Sequence, residues 1–226
     1  MMVNLFSTFD PTTSSMMGWS LNWGGLGVGL SILPLMFWML PTRVKAFWVK
    51  INMILHKELQ LLMGRPPQGA TLMLLGLFYF ILFNNFLGLF PFIFTSTSHL
   101  SITLMMGLPL WLSFMSYGWW NHMIYMLAHQ VPEGTPPGLM PFMVIIETLS
   151  NIIRPGTLAV RLMANMTAGH LLMTLLGNTG ATLSGVMLGG LLSTQVFLLL
   201  LEMAVALIQS YVFVVLSTLY MKEAIH

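Results

Sequence analysis

Charged and polar side chains stand among leucines in the last two apolar stretches of this sequence, where a charge is costly. A charge at the centre of a membrane helix costs about 2.5–3.5 kcal/mol on insertion scales, so such residues usually mark an ion pathway. Carboxylates and histidine can pass a proton on, whereas arginine keeps its proton at any working pH. These types predict proton transfer beside a permanent cation. The residues are Glu147, Arg154, Arg161, His170, Glu202 and Gln209.

Seven-residue spacing predicts that several of these groups share one helix face. Glu147, Arg154 and Arg161 follow one another at intervals of seven, which rotates each by only about 20° from the last on a helix. Asn165 lies one turn beyond Arg161, so the four are expected to form one polar stripe. The alternative interpretation is a structural salt bridge between helices, or snorkelling near a helix end, where Glu147 lies.

A second pair at the same interval, Glu202 and Gln209, follows in the last stretch. If the turn between the two stretches is centred near Leu183, Gln209 lies within one turn of the level of Arg161. Two strings of titratable groups then approach the arginine, one from each membrane face. A single channel would not need the cation, whereas a device that prevents protons from running straight through would. The outer string is His170 and Glu202, and the inner string is Glu147 and Glu223.

The composition places the whole chain in a membrane. Of its 226 residues, 57% are hydrophobic and only 6% are charged, and the mean hydropathy is +0.85. A soluble domain carries about a quarter charged residues, so the bilayer is the solvent that fits. There is no cysteine, which excludes disulfides and thiolate metal sites. Residues 1–42 contain a single charge, Asp10, so we expect insertion through the chain's own spans rather than a cleaved leader.

Five apolar stretches are long enough to cross a bilayer, which predicts an all-α polytopic membrane protein. They cover residues 21–40, 70–90, 100–127, 138–176 and 191–221. A short polar link, Thr95–His99, joins the second and third stretches, and a glycine-rich turn, Gly177–Gly190, joins the last two. No internal repeat is visible, so an inverted-repeat transporter has no support.

The fourth stretch is too long for an upright helix. About 39 residues at about 1.5 Å each give a helix of about 58 Å, against a hydrocarbon core of about 30 Å. Either the helix is steeply tilted, or it breaks at Pro155-Gly156 into two short pieces. A break would add a crossing and reverse the carboxyl terminus. We therefore predict a long, steeply tilted hairpin, which suits a surface that faces a protein partner within the membrane.

Residues 42–65 differ from the spans, because basic residues recur in them. The basic side chains are Arg43, Lys45, Lys50, Lys57 and Arg65. Apolar residues recur at helical spacing on one face, which predicts an amphipathic helix on the membrane surface. The apolar residues are Phe47, Ile51, Ile54, Leu55 and Leu62. Pro66-Pro67 is expected to end the helix.

Basic residues also predict the orientation of the chain. Five of the eight lie in residues 42–65, and Lys222 is close to the carboxyl terminus. With five crossings both places lie on the same side, which is the inside by the positive-inside rule. The link Thr95–His99 and the turn Gly177–Gly190 carry no Lys or Arg, as outer loops should. The amino terminus is then outside and the carboxyl terminus inside.

Four segments resemble one family closely. The run IETLSNIIRPGTLAVRLMANMTAGHLL, residues 146–172, is similar to the signature of subunit a of F-type ATP synthases in its mitochondrial form. LFNNFLGLFP at residues 82–91, LEMAVALIQSYVF at 201–213 and the opening NLFSTFDP at 4–11 match it as well. The resemblance covers essentially the whole chain. It implies a proton-translocating subunit of the membrane sector, without a catalytic site or cofactor of its own, in the mitochondrial inner membrane.

The resemblance also implies roles for single residues. Arg161 is the essential arginine that faces the carboxylate of the rotor ring of subunit c, beside which the last two helices form a tilted hairpin. Glu147 and Glu223 belong to the half-channel on the matrix side, and His170 and Glu202 belong to the half-channel on the intermembrane-space side. Asn165 and Gln209 match polar residues beside the arginine. Gly88 stands where many bacterial members carry an aspartate, so the outer half-channel lacks that acid here.

The family further implies partners and an ion. The partners are the ring, the peripheral-stalk subunit b, small accessory membrane subunits and lipid, with no nucleic acid. The amino terminus lies in the intermembrane space and the carboxyl terminus in the matrix. The ion is a proton by resemblance only, since nothing in the residues themselves excludes Na⁺.

Two other functions compete at this level. A respiratory-chain subunit that relays protons in a redox pump usually carries Lys and Glu midway in several helices, whereas here the charges gather in the last two stretches and include arginine. A structural anchor without transport predicts that Arg161 and Glu202 can be made apolar without loss. Copurification with a ring of small hairpin subunits, each bearing a membrane carboxylate, separates the three hypotheses.

Other polar and sulfur-containing residues receive structural interpretations. The 22 methionines are read as lipid-facing residues rather than a metal site. Asn84 and Asn85 are read as interhelical hydrogen-bond partners worth about 1 kcal/mol, with a path for protons as the lesser alternative. The remaining histidines are read as surface or loop residues, and three aromatic residues as interfacial anchors or packing residues. They are His56, His99, His122 and His129, and Trp119, Trp120 and Tyr125.

Overall fold

The computed structural model describes residues 9–12, 20–33, 40–64, 67, 69–90, 93–131, 136–180 and 185–225. Within these ranges the regular structure is entirely helical, as the composition and periodicity predict. The helices are α1 (Gly25–Ser31), α2 (Arg43–Met63), α3 (Ala70–Gly88), α4 (Leu100–Asn121), α5 (Met123–His129), α6 (Met140–Thr179) and α7 (Val186–Ile225). Short 3₁₀ turns cover Leu21–Gly24 and Ser96–Ser98.

Four of the described helices, α3, α4, α6 and α7, are long and apolar enough to cross a membrane. The first predicted span, residues 21–40, begins with a 3₁₀ turn and α1, and its residues 34–39, with Pro34, lie outside the described part. The count of five crossings therefore stays a prediction. The stretch predicted over residues 100–127 contains two helices, because His122 has non-helical dihedrals (φ −133°, ψ 47°).

Helix α6 is unbroken through Pro155. Of the two alternatives for this stretch, the continuous helix is the one observed, and its 40 residues span about 60 Å at about 1.5 Å each. Proline has no N–H, so the carbonyl of Asn151, four residues earlier, loses its helical donor. Pro155 is buried. A Cβ added to Gly107 of α4 would lie 3.6 Å from the carbonyl oxygen of Pro155. This is an ordinary van der Waals distance, so α4 packs against α6 here without requiring glycine.

Helices α6 and α7 pack antiparallel, and three contacts show the register. Arg154 contacts Glu223, Asn165 contacts Gln209, and Gly169 faces Glu202. As the residue number rises along α6, the number of the contacting residue on α7 falls. Asn165 is one turn from Arg161, so Gln209 lies near the level of the arginine, as the spacing predicts. Leu183, the expected centre of the turn, is outside the described residues.

Helix α7 lies at the centre of the packing, since it contacts α2, α3, α4 and α6. Two clusters of buried apolar residues join these helices. The first contains Leu59, Met63, Ala70, Leu74, Val214 and Met221, and the second contains Ile81, Leu110, Leu158, Leu162 and Phe213. Elsewhere large apolar side chains such as Trp120, Ile124 and Val186 are almost fully exposed, as expected of surfaces that face lipid or partner subunits.

The predicted amphipathic segment, residues 42–65, is helical as α2, although Arg65 and Pro66 lie outside the described part. Contact of the predicted apolar face with the membrane stays a prediction, and the residues that α3 and α7 bury are two others. Phe47 and Ile54 are 63% and 59% exposed, whereas Leu59 and Met63 are 5% and 2% exposed against α3 and α7. Periodicity found an apolar stripe, but the position of α3 and α7 decided which part of it is covered. The helix ends at Gly64, whose positive φ of 76° favours glycine.

The link Thr95–His99 is packed into the protein, and its predicted place on the outer side of the membrane stays a prediction. Thr95, Ser96, Thr97 and Ser98 are each no more than 6% exposed, because the link packs against α3, α4 and α6. Burial is tolerable because the link satisfies part of its own hydrogen bonding: the Ser98 hydroxyl donates to the Thr95 carbonyl at 2.6 Å.

His99 lies in a loop, one of the two predicted alternatives, and its ring packs into an aromatic cluster. Its ring lies 5.3 Å from the rings of both Trp23 and Phe94, measured between centroids. Its Nε2 atom is buried and has no hydrogen-bond partner among the described residues. The aromatic cluster connects the link to the 3₁₀ turn at Leu21–Gly24.

Candidate functional site

Arg161 lies on α6 with its side chain exposed. Within the described part of the chain, both ion pairs involve the other arginine of this helix, Arg154, and none involves Arg161. No hydrogen bond to the Arg161 guanidinium is formed there either. A permanent cation on a membrane-crossing helix is costly without a partner. Arg161 is therefore free to pair with a group outside the described residues.

Asn165 and Gln209 join α6 to α7 one turn from Arg161. The Asn165 amide donates from Nδ2 to Oε1 of Gln209 at 3.0 Å. Gln209 is only 6% exposed, and its Nε2 has no partner among the described residues. The sequence placed these two residues beside the arginine, and the structure brings them into direct contact.

A cavity of about 180 Å³ extends from this contact toward Glu202. We name it the Glu202 cavity. Its walls are largely apolar, with Leu162 and Met166 on α6 and Leu201 and Val205 on α7. A few polar groups converge on it, which is the usual composition of a functional cavity. They are Asn85, Asn165, Glu202 and Gln209.

Gly169 leaves the space that the Glu202 carboxylate occupies. A Cβ built on Gly169 would lie 2.6 Å from Cδ and 3.1 Å from Cγ of Glu202, and closer still to Oε1. A side chain at residue 169 would force the Glu202 carboxylate to move, so the observed position of the acid depends on glycine here. The sequence pattern singled out His170 and Glu202 but gave this glycine no role.

His170 is adjacent to Gly169 but does not line the Glu202 cavity. Its ring stands edge-on to Phe9, with 6.3 Å between centroids, and faces the backbone of Gly88. Its Nε2 is buried without a partner in the described part. No hydrogen bond joins His170 to Glu202 there, so their predicted cooperation stays a prediction.

Gly88 contacts the buried link directly. A Cβ on Gly88 would meet Cγ2 of Thr95 at 3.0 Å. The link therefore fills the space that a side chain at residue 88 would need. An acid at this position would require the link to move.

Asn85 is a candidate for the proton path, a role that the sequence favoured less than an interhelical hydrogen bond. Its neighbour Asn84 donates to the Phe80 carbonyl at 2.9 Å, but Asn85 is fully buried and neither its amide nitrogen nor its amide oxygen has a partner among the described groups. It does not form the interhelical hydrogen bond that was expected. Because buried polar groups are nearly always satisfied, and Asn85 lines the Glu202 cavity, water is the natural partner.

The remaining predicted residues, Glu147 and Glu223, meet on one arginine. Arg154 Nη1 lies 3.1 Å from Oε2 of Glu223, and Nη2 lies 3.3 Å from Oε1 of Glu147. The guanidinium also lies 5.7 Å from the ring centroid of Tyr220. The sequence predicted Glu147 and Arg154 on one stripe but could not assign the partner from α7, which is 69 residues away.

Comparison with known proteins identifies the family of this chain. The sequence profile of the family described as ATP synthase A chain matches residues 16–222. The chain belongs to this family. It is 61% identical over 225 residues to ATP synthase subunit a of Anopheles quadrimaculatus, and 59% identical over 224 residues to that of Drosophila melanogaster. In both cases the match covers 99% of this chain and 99% of the relative.

Family membership confirms the resemblance inferred from the four sequence segments. It also excludes the hypothesis of a respiratory-chain redox subunit. It does not by itself assign roles to residues such as Arg161 or Glu202. Those roles stay predictions.

Proposed function

We propose that this chain is the proton-translocating stator subunit of the membrane sector of an ATP synthase. The observation that carries the proposal is the exposed Arg161, which has no ion pair or hydrogen bond in the described chain although it lies on a membrane-crossing helix. A rotor carboxylate that passes along α6 would supply the missing counter-charge. The identity to insect ATP synthase subunits a supports this interpretation.

Two half-channels would serve the arginine from opposite faces. The outer one contains His170, Glu202, Asn165 and Gln209, and we add Asn85 because it lines the same cavity. The inner one contains Glu147 and Glu223. The three contacts between α6 and α7 support this order, since Glu202 and Glu223 lie on opposite sides of the level of Gln209.

Electrostatics then couples proton flow to rotation. A rotor carboxylate that faces lipid must be neutral, because an ionised group costs too much there. Opposite Arg161 the ionised form is favoured by the neighbouring positive charge. The ring can therefore turn only after a proton leaves toward one face and another arrives from the other. Neither step consumes a proton. Rotation of the ring couples the passage of protons to ATP synthesis elsewhere in the complex.

The fixed cation also prevents a direct leak. A membrane potential of 100 mV supplies about 2.3 kcal/mol for each elementary charge that crosses the membrane. A continuous path between the half-channels would dissipate this energy. Arg161 repels a proton that approaches from either side, and arginine does not lose its own proton.

The proposed setting is the mitochondrial inner membrane. We propose five crossings, with the amino terminus in the intermembrane space, the carboxyl terminus in the matrix, and α6 and α7 as a steeply tilted hairpin against the ring of subunit c. The peripheral-stalk subunit b and small accessory subunits complete the surroundings. Helix α2, with its basic side chains, would lie on the matrix surface.

Replacement of Arg161 tests the proposal. In reconstituted complexes, Arg161→Gln should abolish ATP-driven pumping and ATP synthesis while the complex still assembles, and it should raise passive proton leakage. Arg161→Lys should be a poor substitute, because lysine can lose its proton when buried. Arg43→Gln makes the same change of charge on an exposed residue of α2 and is the matched control. Pumping near the wild-type rate in Arg161→Gln would show that the arginine is structural.

A further inference from the structure

We propose that the side of α2 that faces away from the rest of the subunit binds an acidic amphipathic helix of a neighbouring stator subunit. The binding surface consists of Phe47, Lys50, Ile54, Lys57 and Leu61, which we name the α2 seam. The proposal rests on the proposed function, because it requires an assembled membrane sector. It adds to that function the surface and the chemistry of one contact between stationary subunits.

The residues of the α2 seam recur every three or four positions along the helix. Phe47, Ile54 and Leu61 follow one another at intervals of seven, and Lys50 and Lys57, also seven apart, lie between them. At 3.6 residues per turn all of them fall within an arc of about 80°. A seven-residue repeat keeps one strip of a helix against a second helix along its length, as in a coiled coil. The seam therefore has the period of a helix-binding surface.

The α2 seam is open to its surroundings. Phe47, Ile54 and Leu61 are 63%, 59% and 83% exposed, and Lys50 and Lys57 are exposed as well. A contiguous row of large exposed apolar side chains rimmed by polar groups marks an interaction site. The seam is thus available to a partner over about four turns of α2.

The opposite side of α2 is already occupied. Leu59 and Met63 lie about 160° around the helix from the middle of the seam, and both are buried in the cluster that α2 forms with α3 and α7. The main neighbours of α6 among the described helices are α4 and α7, so α7 lies between α2 and the helix that carries Arg161. A partner on the seam is therefore remote from the proposed path of the ring and belongs to the stator.

The order of the side chains along the seam favours a protein helix over the membrane surface. An amphipathic helix on a bilayer keeps its apolar side chains on one face and its charges on the other. In the α2 seam Lys50 lies between Phe47 and Ile54, and Lys57 lies between Ile54 and Leu61. Neither hydrocarbon nor water suits the whole strip. A second helix suits it, because each of its turns can match one side chain of the seam.

The complementary helix carries Asp or Glu at intervals of seven, with large apolar residues between them. Its apolar residues would cover Phe47, Ile54 and Leu61, and its carboxylates would lie opposite Lys50 and Lys57. Charges at a helix–helix seam fix the alignment and the choice of partner more than the affinity. A slip of one turn would put each lysine opposite an apolar residue, so this alternation specifies a single alignment.

Zero-length cross-linking tests the seam in the intact wild-type complex. A water-soluble carbodiimide joins a lysine amine to a carboxylate in contact with it and takes up the water that is lost. Lys50 and Lys57 should each be joined to an acidic residue of one partner helix, at sites about seven residues apart. Lys45, about 140° from Lys50 on the same helix, is the internal control and should not be joined to that helix. Lys50→Arg keeps the charge without the amine and should lose only the cross-link at residue 50.

Charge reversal gives a second readout. Lys50→Glu combined with Lys57→Glu should lower several-fold the amount of the cross-linked partner that stays with the purified complex. Lys45→Glu makes the same change of charge outside the seam and should leave the amount unchanged. Where the double reversal prevents assembly, Lys50→Gln combined with Lys57→Gln replaces it and should also lower retention. Full retention of the partner in the assembled double variant would overturn the proposal.

Thiol labelling distinguishes a protein cover from lipid and from water. The chain contains no cysteine, so Ile54→Cys introduces a unique thiol in this subunit. In the assembled complex it should react slowly with both a charged and a lipophilic maleimide, and rapidly once Lys50→Glu and Lys57→Glu are added. Rapid reaction of Ile54→Cys alone with the lipophilic reagent would show that the seam faces lipid. Rapid reaction with the charged reagent would show that it faces water, and either result would overturn the proposal.

The outcomes separate the seam from the proposed function. If Arg161→Gln stops pumping while Lys50 and Lys57 are joined to no acidic helix, the seam is wrong and the stator function stands. Cross-links from these lysines to the ring would overturn the seam in the same way. If Arg161→Gln pumps normally, the proposed function falls, whereas the cross-links still decide whether an acidic helix lies on α2.

Discussion

Gly169→Ala is the smallest change that should disturb the Glu202 half-channel. The added Cβ would lie 2.6 Å from Cδ of Glu202 and closer still to Oε1, whereas an ordinary contact begins at 3.4 Å, so the carboxylate must retreat by at least about 0.8 Å. The atoms in the way are the far end of a flexible side chain, which can move. The backbone of α6 and α7 therefore has no reason to separate.

The expected effect on stability is small, because two terms oppose each other. Overpacking costs about 1–3 kcal/mol, whereas alanine gains about 1 kcal/mol over glycine in a helix interior. The net effect is a loss of about 0–2 kcal/mol in the free energy of unfolding. The subunit should therefore still fold and assemble. Proton transfer should suffer more, since a displacement of about 1 Å can cost as much as about 100-fold in rate.

The assay is passive proton conductance and ATP-driven pumping of reconstituted complexes, with assembly checked by gel filtration. Gly177→Ala is the matched control, because it lies on the same helix and a Cβ there meets nothing within 4 Å. The double variant Gly169→Ala with Glu202→Asp shortens the acid and should recover part of the flux. Wild-type flux in assembled Gly169→Ala would refute the reasoning, because the position of Glu202 against α6 would then have no effect on proton transfer.

Three further changes have expected outcomes. Asn85→Leu should slow pumping without loss of thermal stability, since it replaces an amide whose polar atoms lack partners by a side chain of similar size; a lowered melting temperature at unchanged flux would contradict this. Arg154→Gln should slow pumping and lower the melting temperature only slightly, because ion pairs of partly exposed groups are worth about 0–1 kcal/mol each; a large loss of stability would point to a structural role. Tyr79→Phe should weaken the docking of α2 on α3 by about 0.5–1.5 kcal/mol, since the Tyr79 hydroxyl donates to Asn52; proteolysis of α2 at an unchanged rate would argue against it.

Local patterns in the sequence determined much of this protein. The composition indicated a membrane protein, and the described helices α3, α4, α6 and α7 agree. Seven-residue spacing put Glu147 and Arg154 on one face of α6, where they form an ion pair, and the intervals on α6 and α7 placed Gln209 beside the turn that follows Arg161. Helical periodicity and the cost of a charge in the bilayer depend only on the residues of one segment. Both can therefore be inferred from the sequence without knowledge of the fold.

Only the tertiary structure decided which groups meet across helices. The pairing of Arg154 with Glu223, the unsatisfied amide of Asn85 and the fit of Glu202 against Gly169 each depend on the approach of two distant segments. So does the burial of Thr95–Ser98, and of Leu59 and Met63 rather than Phe47 and Ile54. In a chain this apolar, nearly every helix face could pack against another helix or against lipid. Hydrophobicity therefore does not distinguish the two, and the positions of α3 and α7 settle which faces are covered.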